Sequence, residues 1–302
     1  MDFQRVDRYI CSESFNTPLI SIIIATFNSE LVIANCLQSV ISQSYKNIEV
    51  IIMDGGSYDK TLDIARSFKD ERIKIVSEKD RGIYDAWNKA VDLSSGDWIA
   101  FIGSDDVYYH TDAITSLVKG AAISNGAPVV YGRTAHEGPN KEISGFSGSE
   151  WYNLKGFKFN YYKCNLPLPI MSAIYSRDFF KDQRFDIKLK IVADADWFLR
   201  CFIKWRKENS PYFIDDITPV VRMGYGGVST DISSQIKTTR ESFIVRKKNN
   251  ISCFNMQLIL RYIKIMVMVS IKNIFGNNIY NSMHNGYHFT IQCIMVTIFT
   301  IF

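Results

Sequence analysis

The chain of 302 residues contains no C-x-x-C pair, and its six cysteines, Cys11, Cys36, Cys164, Cys201, Cys253 and Cys293, are scattered along it. That spacing argues against a zinc ribbon and against a disulfide-dense secreted scaffold, and a reducing cytoplasm is the expected compartment. The four histidines, His110, His136, His284 and His288, are too dispersed to suggest a metal cluster. No G-x-G-x-x-G follows the first apolar run, and Ala25 to Glu30 (ATFNSE) holds no glycine at all. A dinucleotide oxidoreductase and a nucleotidyltransferase with a glycine-rich phosphate loop are therefore disfavoured. Met1 to Pro18 is interrupted by Asp2, Arg5, Asp7, Arg8 and Glu13, so it lacks the continuous apolar stretch of a signal peptide. The largely apolar run Phe289 to Phe302 has 14 residues, short of the ~18 to 20 that a spanning helix needs. Charge of one sign is scarce too: 35 Lys and Arg against 31 Asp and Glu leave +4, too little for a nucleic-acid partner to be expected.

What is present is apolar surface. Hydrophobic residues make up 47% and charged residues 22%, enough for a packed core. From Leu19 onward β-branched runs alternate with amphipathic stretches, the pattern of βαβ units and a mostly parallel sheet. Strands are expected at Leu19 to Ala25, Ile48 to Met53, Ile73 to Val76 and Trp98 to Ile102. Ser29 is the expected N-cap of a first helix whose Ile33, Leu37, Val40 and Ile41 share one face. Thr61 to Phe68 reads as a second helix, and Ile83, Trp87, Ala90 and Val91 mark a third that begins near Gly82. Thr134 to Gly156 is polar, carries Gly138, Gly145, Gly148 and Gly156, and reads as a loop. Ala193 to Trp205 is an acid-started helix with an apolar body.

Carboxylates stand out by position. Asp54, the pair Asp105 and Asp106, and the pair Asp194 and Asp196 each follow an apolar strand or open a helix, and each type is also a common turn former or cap. In open α/β sheets the carboxyl ends of the strands are where ligands bind. An Asp-Asp pair there offers hard oxygens to Mg²⁺ or Mn²⁺, which characteristically hold one or two carboxylates together with a substrate's phosphates. A diphosphate ligand is implied, and a separate carboxylate, Asp194, is the candidate base for an attacking hydroxyl.

Four stretches, Pro18 to Asn28 (PLISIIIATFN), Asp54 to Thr61 (DGGSYDKT), Glu78 to Asn88 (EKDRGIYDAWN) and Ser95 to Asp106 (SGDWIAFIGSDD), resemble family 2 glycosyltransferases in content, order and spacing. Ala193 to Leu199 (ADADWFL) and Gly226 to Thr230 (GGVST) resemble later blocks of that family. The resemblance implies a GT-A fold, a mostly parallel central sheet flanked by helices, to which the basic and apolar composition after residue 230 adds a C-terminal helical, membrane-associating extension. With the composition turning basic after Ser229, the chain divides into a lead-in of residues 1–17, a glycosyltransferase domain of residues 18–230 and a tail of residues 231–302. Residues 18–107 would bind the nucleotide sugar and 108–230 the acceptor. By the same resemblance Thr26, Phe27 and Asn28 line the nucleotide pocket, Asp54 contacts its base, and Asp80 and Arg81 join them. Asp105 would meet the ribose, Asp106 the metal, Asp194 would be the catalytic base and Asp196 its supporter on the helix. The implied activity is inverting transfer from a nucleotide sugar, a UDP-sugar first, to a lipid-linked or other glycan acceptor in bacterial surface polysaccharide synthesis. A non-catalytic nucleotide-binding or assembly module on the same fold is the alternative.

Two regions outside these blocks have their own readings. Trp151, Tyr152, Phe157, Phe159, Tyr161 and Tyr162 cluster beside the polar loop, as core or as a sugar-stacking platform. Between Lys237 and Lys272 eight basic residues face only Glu241, so the rest of the chain carries a net −3. Arg261, Lys264, Met268 and Lys272 recur at helical spacing on an apolar segment, which fits a helix lying on an anionic membrane surface or one packed on the catalytic domain. A peripheral place on the inner face of the cell membrane is the corresponding expectation.

Overall fold

The computed structural model of the chain describes residues 17–150, 168–204, 210–226, 232–252, 256, 258–267 and 269–270. The four apolar runs form β1 (Ile20–Thr26), β2 (Ile48–Asp54), β3 (Ile73–Ser77) and β4 (Trp98–Gly103), separated by α1 (Ile33–Ile41), α2 (Thr61–Ser67) and α3 (Ile83–Leu93). Ile22, Ile23 and Ile24 are all fully buried. A strand covered on both faces has no polar side to alternate with, which is why β1 reads as an unbroken run.

β1 pairs in parallel with β2 and β4, and β2 in parallel with β3. The larger sheet has seven strands in the order β10-β6-β9-β4-β1-β2-β3, with β6 at Val129–Tyr131, β9 at Ala173–Ser176 and β10 at Tyr212–Phe213. β9 runs antiparallel to both β4 and β6, and every other pair in this sheet is parallel. A four-stranded sheet joins β5 (Val107–Tyr108), β11 (Val221–Met223), β7 (Thr134–Glu137) and β8 (Ile143–Ser147) in that order. Further α-helices are α4 (Ala113–Ile123), α5 (Ala193–Lys204) and α6 (Ile232–Lys248). The chain falls into two compact units, Met1–Gly227 and Val228–Phe302.

Two expectations change. Thr134 to Ser147 is not loop but the hairpin β7-β8, with a register shift between His136 and Glu137. Its strands are short and carry no apolar alternation, and β7 is held on its other side by β11, far away in sequence. Ser29 is not a side-chain cap either. α1 begins at Ile33 after a turn in which the Ser29 carbonyl accepts from Val32 and Ile33 N–H, while Ser29 Oγ lies 2.9 Å from Ser104 Oγ. The serine thereby ties the end of β1 to the end of β4. The aromatic group Trp151 to Tyr162 lies outside the described residues, as do residues 1–16 and 271–302.

Different chemistry covers the two faces of the large sheet. Ile33, Cys36, Leu37 and Val40 of α1 and Ala113, Ile114 and Leu117 of α4 pack with Ile22, Ile24, Val50 and Ile52 in an aliphatic layer. Elsewhere Trp87 of α3 meets Phe101 of β4 at a centroid distance of 4.6 Å, and Phe180 stacks on Trp197 of α5 at 4.8 Å and 13°. Tyr175 of β9 and Phe185 contact both groups, so aromatic rings carry α3 and α5 on one continuous cluster. Aromatic pairs add stabilisation beyond their buried area. Trp197→Ala is expected to destabilise the protein by about 4 kcal/mol, read as a lower urea midpoint. An unchanged midpoint would exclude this cluster as the anchor of α5.

Candidate active site

The parallel register brings the ends of three strands level: Thr26 pairs with Asp54, and Asp54 with Ser77. Gly103 at the end of β4 pairs with Ala25. Asp105 and Asp106 follow at once, so every strand-end residue named from the sequence falls on one edge of the sheet.

Asp54 is fully buried there. Its Oδ2 accepts from Gly56 N at 3.1 Å, Ser57 N at 3.0 Å and Ser77 Oγ at 2.6 Å, and its Oδ1 accepts from Ser57 Oγ. Asp54, expected at the nucleotide base, is a buried carboxylate with four donors from its own loop and from Ser77. Asn28, in the left-handed region at φ 49°, is used similarly. Its N–H donates to Ser57 Oγ and its Oδ1 accepts from Tyr58 N, stitching β1 to the same loop.

Other groups on this edge are placed differently. Thr26 Oγ1 is buried without a hydrogen-bond partner. Phe27 is 57% exposed, in edge contact with the exposed ring of Tyr58. Asp80, after β3, lies so close to Gly55 that a Cβ there would stand 2.7 Å from Asp80 Oδ2 and 3.5 Å from the Phe27 ring. Phe27, Gly55 and Asp80 thus form one wall, with an aromatic face beside a carboxylate. Arg81 is turned back along α3, its guanidinium 2.8 Å from Asp85, whose carboxyl it holds below the usual carboxylate range.

Asp105 and Asp106 converge over Gly103. A Cβ at Gly103 would lie 2.7 Å from Asp106 Oδ2 and 2.8 Å from Asp105 Oδ1. Asp105 is exposed, whereas Asp106 is buried and accepts from Gly103 N at 3.3 Å and Gly224 N at 3.0 Å. Burial, reinforced by the charges of Asp105 and Glu137 and opposed by the two N–H groups, pushes the Asp106 carboxyl up to about 7. Glu137 of β7 is itself paired with Arg222 of β11 at 2.9 Å. Two carboxylates crowded into the space a side chain would fill are what a divalent cation would relieve. Among the described residues no group of three or more His, Cys, Asp or Glu could hold a metal. The pair therefore fits an ion that takes its other oxygens from phosphate and water, as Mg²⁺ and Mn²⁺ do.

Asp194 and Asp196 open α5 but point differently. Asp194 is half-buried, and its Oδ1 accepts from Ala195 N at 2.8 Å and lies 3.1 Å from Tyr84 Oη. Asp196 is fully buried, with Arg200 Nε donating to its Oδ2 at 2.8 Å. Arg200 in turn donates to Gln183 and to the Arg184 carbonyl. Asp196, expected as the supporter of Asp194 on the helix, thus has its carboxylate held by Arg200.

Several contributors had little sequence signal. Ser57, three residues after Asp54, follows a turn pattern that sequence could have flagged. Ser77, Gly224 and the Glu137–Arg222 pair reach the site only through the pairing of distant strands.

The sequence model of the family described as Glycosyl transferase family 2 matches residues 21–182. A PGL/p-HBAD biosynthesis glycosyltransferase of Mycobacterium bovis (strain BCG / Pasteur 1173P2) is 31% identical over 222 residues, 71% of this chain and 80% of that protein. The Escherichia coli UDP-Glc:alpha-D-GlcNAc-diphosphoundecaprenol beta-1,3-glucosyltransferase WfaP is 42% identical over 101 residues, 33% of this chain and 40% of WfaP. Among solved structures, the Pyrobaculum calidifontis mannosyltransferase PcManGT in complex with GDP-Man and Mn²⁺ covers 95% of this chain and 86% of its own, at TM-score 0.59 and 14% identity. S. aureus TarS 1-349 in complex with UDP-GlcNAc covers 85% and 75%, at TM-score 0.56 and 17% identity. At those identities the likeness shows the fold alone, a GT-A-like α/β fold with a mostly parallel central sheet.

Two outcomes test the paired carboxylates. Gly103→Ala, by forcing both carboxylates aside, is expected to weaken Mn²⁺-dependent nucleotide binding about 10- to 100-fold with the fold intact by circular dichroism. For Asp106, a folded pKa raised above the unfolded value contributes stability that is full below pH ~4 and lost as pH rises through about 7. The metal-free protein should accordingly melt higher at pH 6 than at pH 8, and Mn²⁺ affinity should fall over the same descent in pH. Asp106→Asn should flatten both trends.

Proposed function

Because the chain belongs to glycosyltransferase family 2, we propose that it moves a sugar, with inversion, from a UDP-sugar to a lipid-linked glycan acceptor of a bacterial surface polysaccharide or glycolipid. The observation that carries this reading is the convergence of Asp105 and Asp106 over Gly103, on the edge that also holds the unpaired Thr26 hydroxyl and the Phe27–Asp80 wall. Phe27 offers its ring face to the base, and Asp80 is an acceptor for an imide N–H such as uracil carries. Asp105 is set toward the ribose and Asp106 toward the metal. A Mn²⁺ or Mg²⁺ ion, when bound, offsets the charge developing on the leaving diphosphate.

The chemistry assigned to this chain's own residues is a single displacement. The acceptor oxygen forms a bond to the anomeric carbon as the bond from that carbon to the diphosphate oxygen breaks, and the electron pair leaves with the nucleoside diphosphate. Asp194 takes the acceptor's proton. Single displacement from the opposite face inverts the anomeric centre. The name of the E. coli relative, with its diphosphoundecaprenol acceptor, supports the lipid-linked choice, and the UDP-GlcNAc complex of TarS supports the uridine choice.

The second unit supports a membrane-surface location. The helical segment 258–267 buries Leu258 and Ile265 and exposes Ile263, Lys264, Met266 and Val267. Apolar and basic groups on one exposed surface suit an anionic lipid interface. Arg246, counted among the basic residues of the tail, is only 1% exposed and donates to the Ser252 carbonyl, so it adds nothing to that surface. Among the described residues no helix is long and apolar enough to cross a membrane.

Calorimetric titration with UDP, GDP and dTDP, each with and without Mn²⁺, tests the donor site. UDP is expected to bind most tightly, only with metal, and Asp106→Ala to abolish the metal dependence. Preference for GDP would overturn the uridine assignment. Asp194→Asn is expected to lose at least about 10²-fold in transfer while UDP affinity holds, and retained transfer would refute the base. A module that only holds nucleotide would bind UDP yet release none from a UDP-sugar in the presence of acceptor.

A further inference from the structure

Tyr84, in the first turn of α3, is 6% exposed, and its ring packs on Trp87 at 5.4 Å and Phe185 at 5.5 Å. Those contacts fix the ring and leave the hydroxyl with a narrow range of positions. The hydroxyl lies 2.6 Å from the Ile191 carbonyl and 3.1 Å from Asp194 Oδ1. It has one proton and two acceptors within reach, and it is also an acceptor itself. Two arrangements serve the two protonation states of Asp194. With Asp194 ionised, the hydroxyl proton points to Oδ1. With Asp194 protonated, the carboxyl donates to the tyrosine oxygen, and the hydroxyl proton turns to Ile191.

We propose that Tyr84 is the positioning residue of Asp194, a hydroxyl rotor that holds the carboxylate ready to accept a proton and then holds the acid that results. The inference rests on the reading of Asp194 as the base. The proton that leaves the acceptor stays on Asp194 and passes to water after release; Tyr84 keeps its own proton throughout and only turns it. The same turn of chain ties this device to the donor side. Lys190 Nζ donates to the Arg81 carbonyl at 2.6 Å and to the Ile187 carbonyl at 3.1 Å, while Asp80, one residue before Arg81, stands in the Phe27–Gly55 wall. Nucleotide wall and base are therefore linked through Lys190, four residues before Asp194, which donates to the Arg81 carbonyl. Tyr84 from α3 lies against Asp194, whereas the Tyr175 hydroxyl of β9 donates to the Ile170 carbonyl; burial followed by the Asp194 charge pushes that hydroxyl up, so it stays neutral. Asp196 on the same helix is turned inward onto Arg200.

The test is Tyr84→Phe, which keeps the ring in its aromatic packing and removes one oxygen. Transfer from UDP-sugar is expected to lose about 10- to 100-fold in kcat with donor KM and UDP affinity unchanged. A carboxylate deprived of a donor is easier to protonate, so the acid limb of the pH–kcat/KM profile should move to higher pH. Incorporation of 3-fluorotyrosine at position 84, with a more acidic hydroxyl, should restore kcat and move that limb to lower pH, and it serves alone should the Phe variant lose UDP affinity. An unshifted acid limb with near-normal kcat, in a background where Asp194→Asn abolishes transfer, would overturn the positioning role. Transfer retained by Asp194→Asn would instead overturn the base itself, which makes the two failures distinguishable.

Discussion

β1 is buried on both faces, and that constraint organises the rest. A strand with no solvated face must be covered by layers on each side, and parallel neighbours need crossover helices, which supply those layers. Parallel strands also end together. Once Ile22, Ile23 and Ile24 are enclosed, the chain must emerge at Thr26, Asp54, Ser77 and Gly103 along a single edge. The polar residues that terminate those strands are thus collected by the core and not by any attraction among themselves.

Charge at that edge is arranged unevenly, and the unevenness follows from where backbone donors are available. Asp54 is saturated by loop N–H and serine hydroxyl groups and acts as scaffold. Asp106, equally enclosed, receives two N–H groups and bears the repulsion of Asp105 and Glu137 as well, so its anionic form is under-compensated. Of two buried carboxylates, the second is the one suited to a cation. Asp194 and Asp196 divide in the same way, one at the margin beside Tyr84 and the other locked to Arg200. Position at a strand end or helix start brings a carboxylate to the neighbourhood, and the count of nearby donors decides what it can do there.

The aromatic cluster links core to site. Trp87, Phe101, Tyr175, Phe180, Phe185 and Trp197 come from stretches scattered over more than a hundred residues, yet they set α3 against α5 closely enough for Tyr84 to reach Asp194. Rings have few rotatable bonds, so a cluster of them holds geometry with little loss of side-chain freedom.

The four parallel strands and three intervening helices were legible because period and turn residues are local properties, while the GT-A fold came only with the family resemblance. Family membership was legible in the same way, since the DGGS, EKDRG and GSDD stretches are contiguous and each keeps its chemistry within a few residues. Beyond that reach lay the β7-β8 hairpin, the antiparallel β9 between β4 and β6, and the Gly224 N–H on Asp106, each made by segments that meet only after folding. The sequence by itself determined which residue types stand at the strand ends. Tertiary structure decided which of them are consumed by the protein's own hydrogen bonds and which still face outward, because donor supply and burial are properties of the packed neighbourhood and not of the residue.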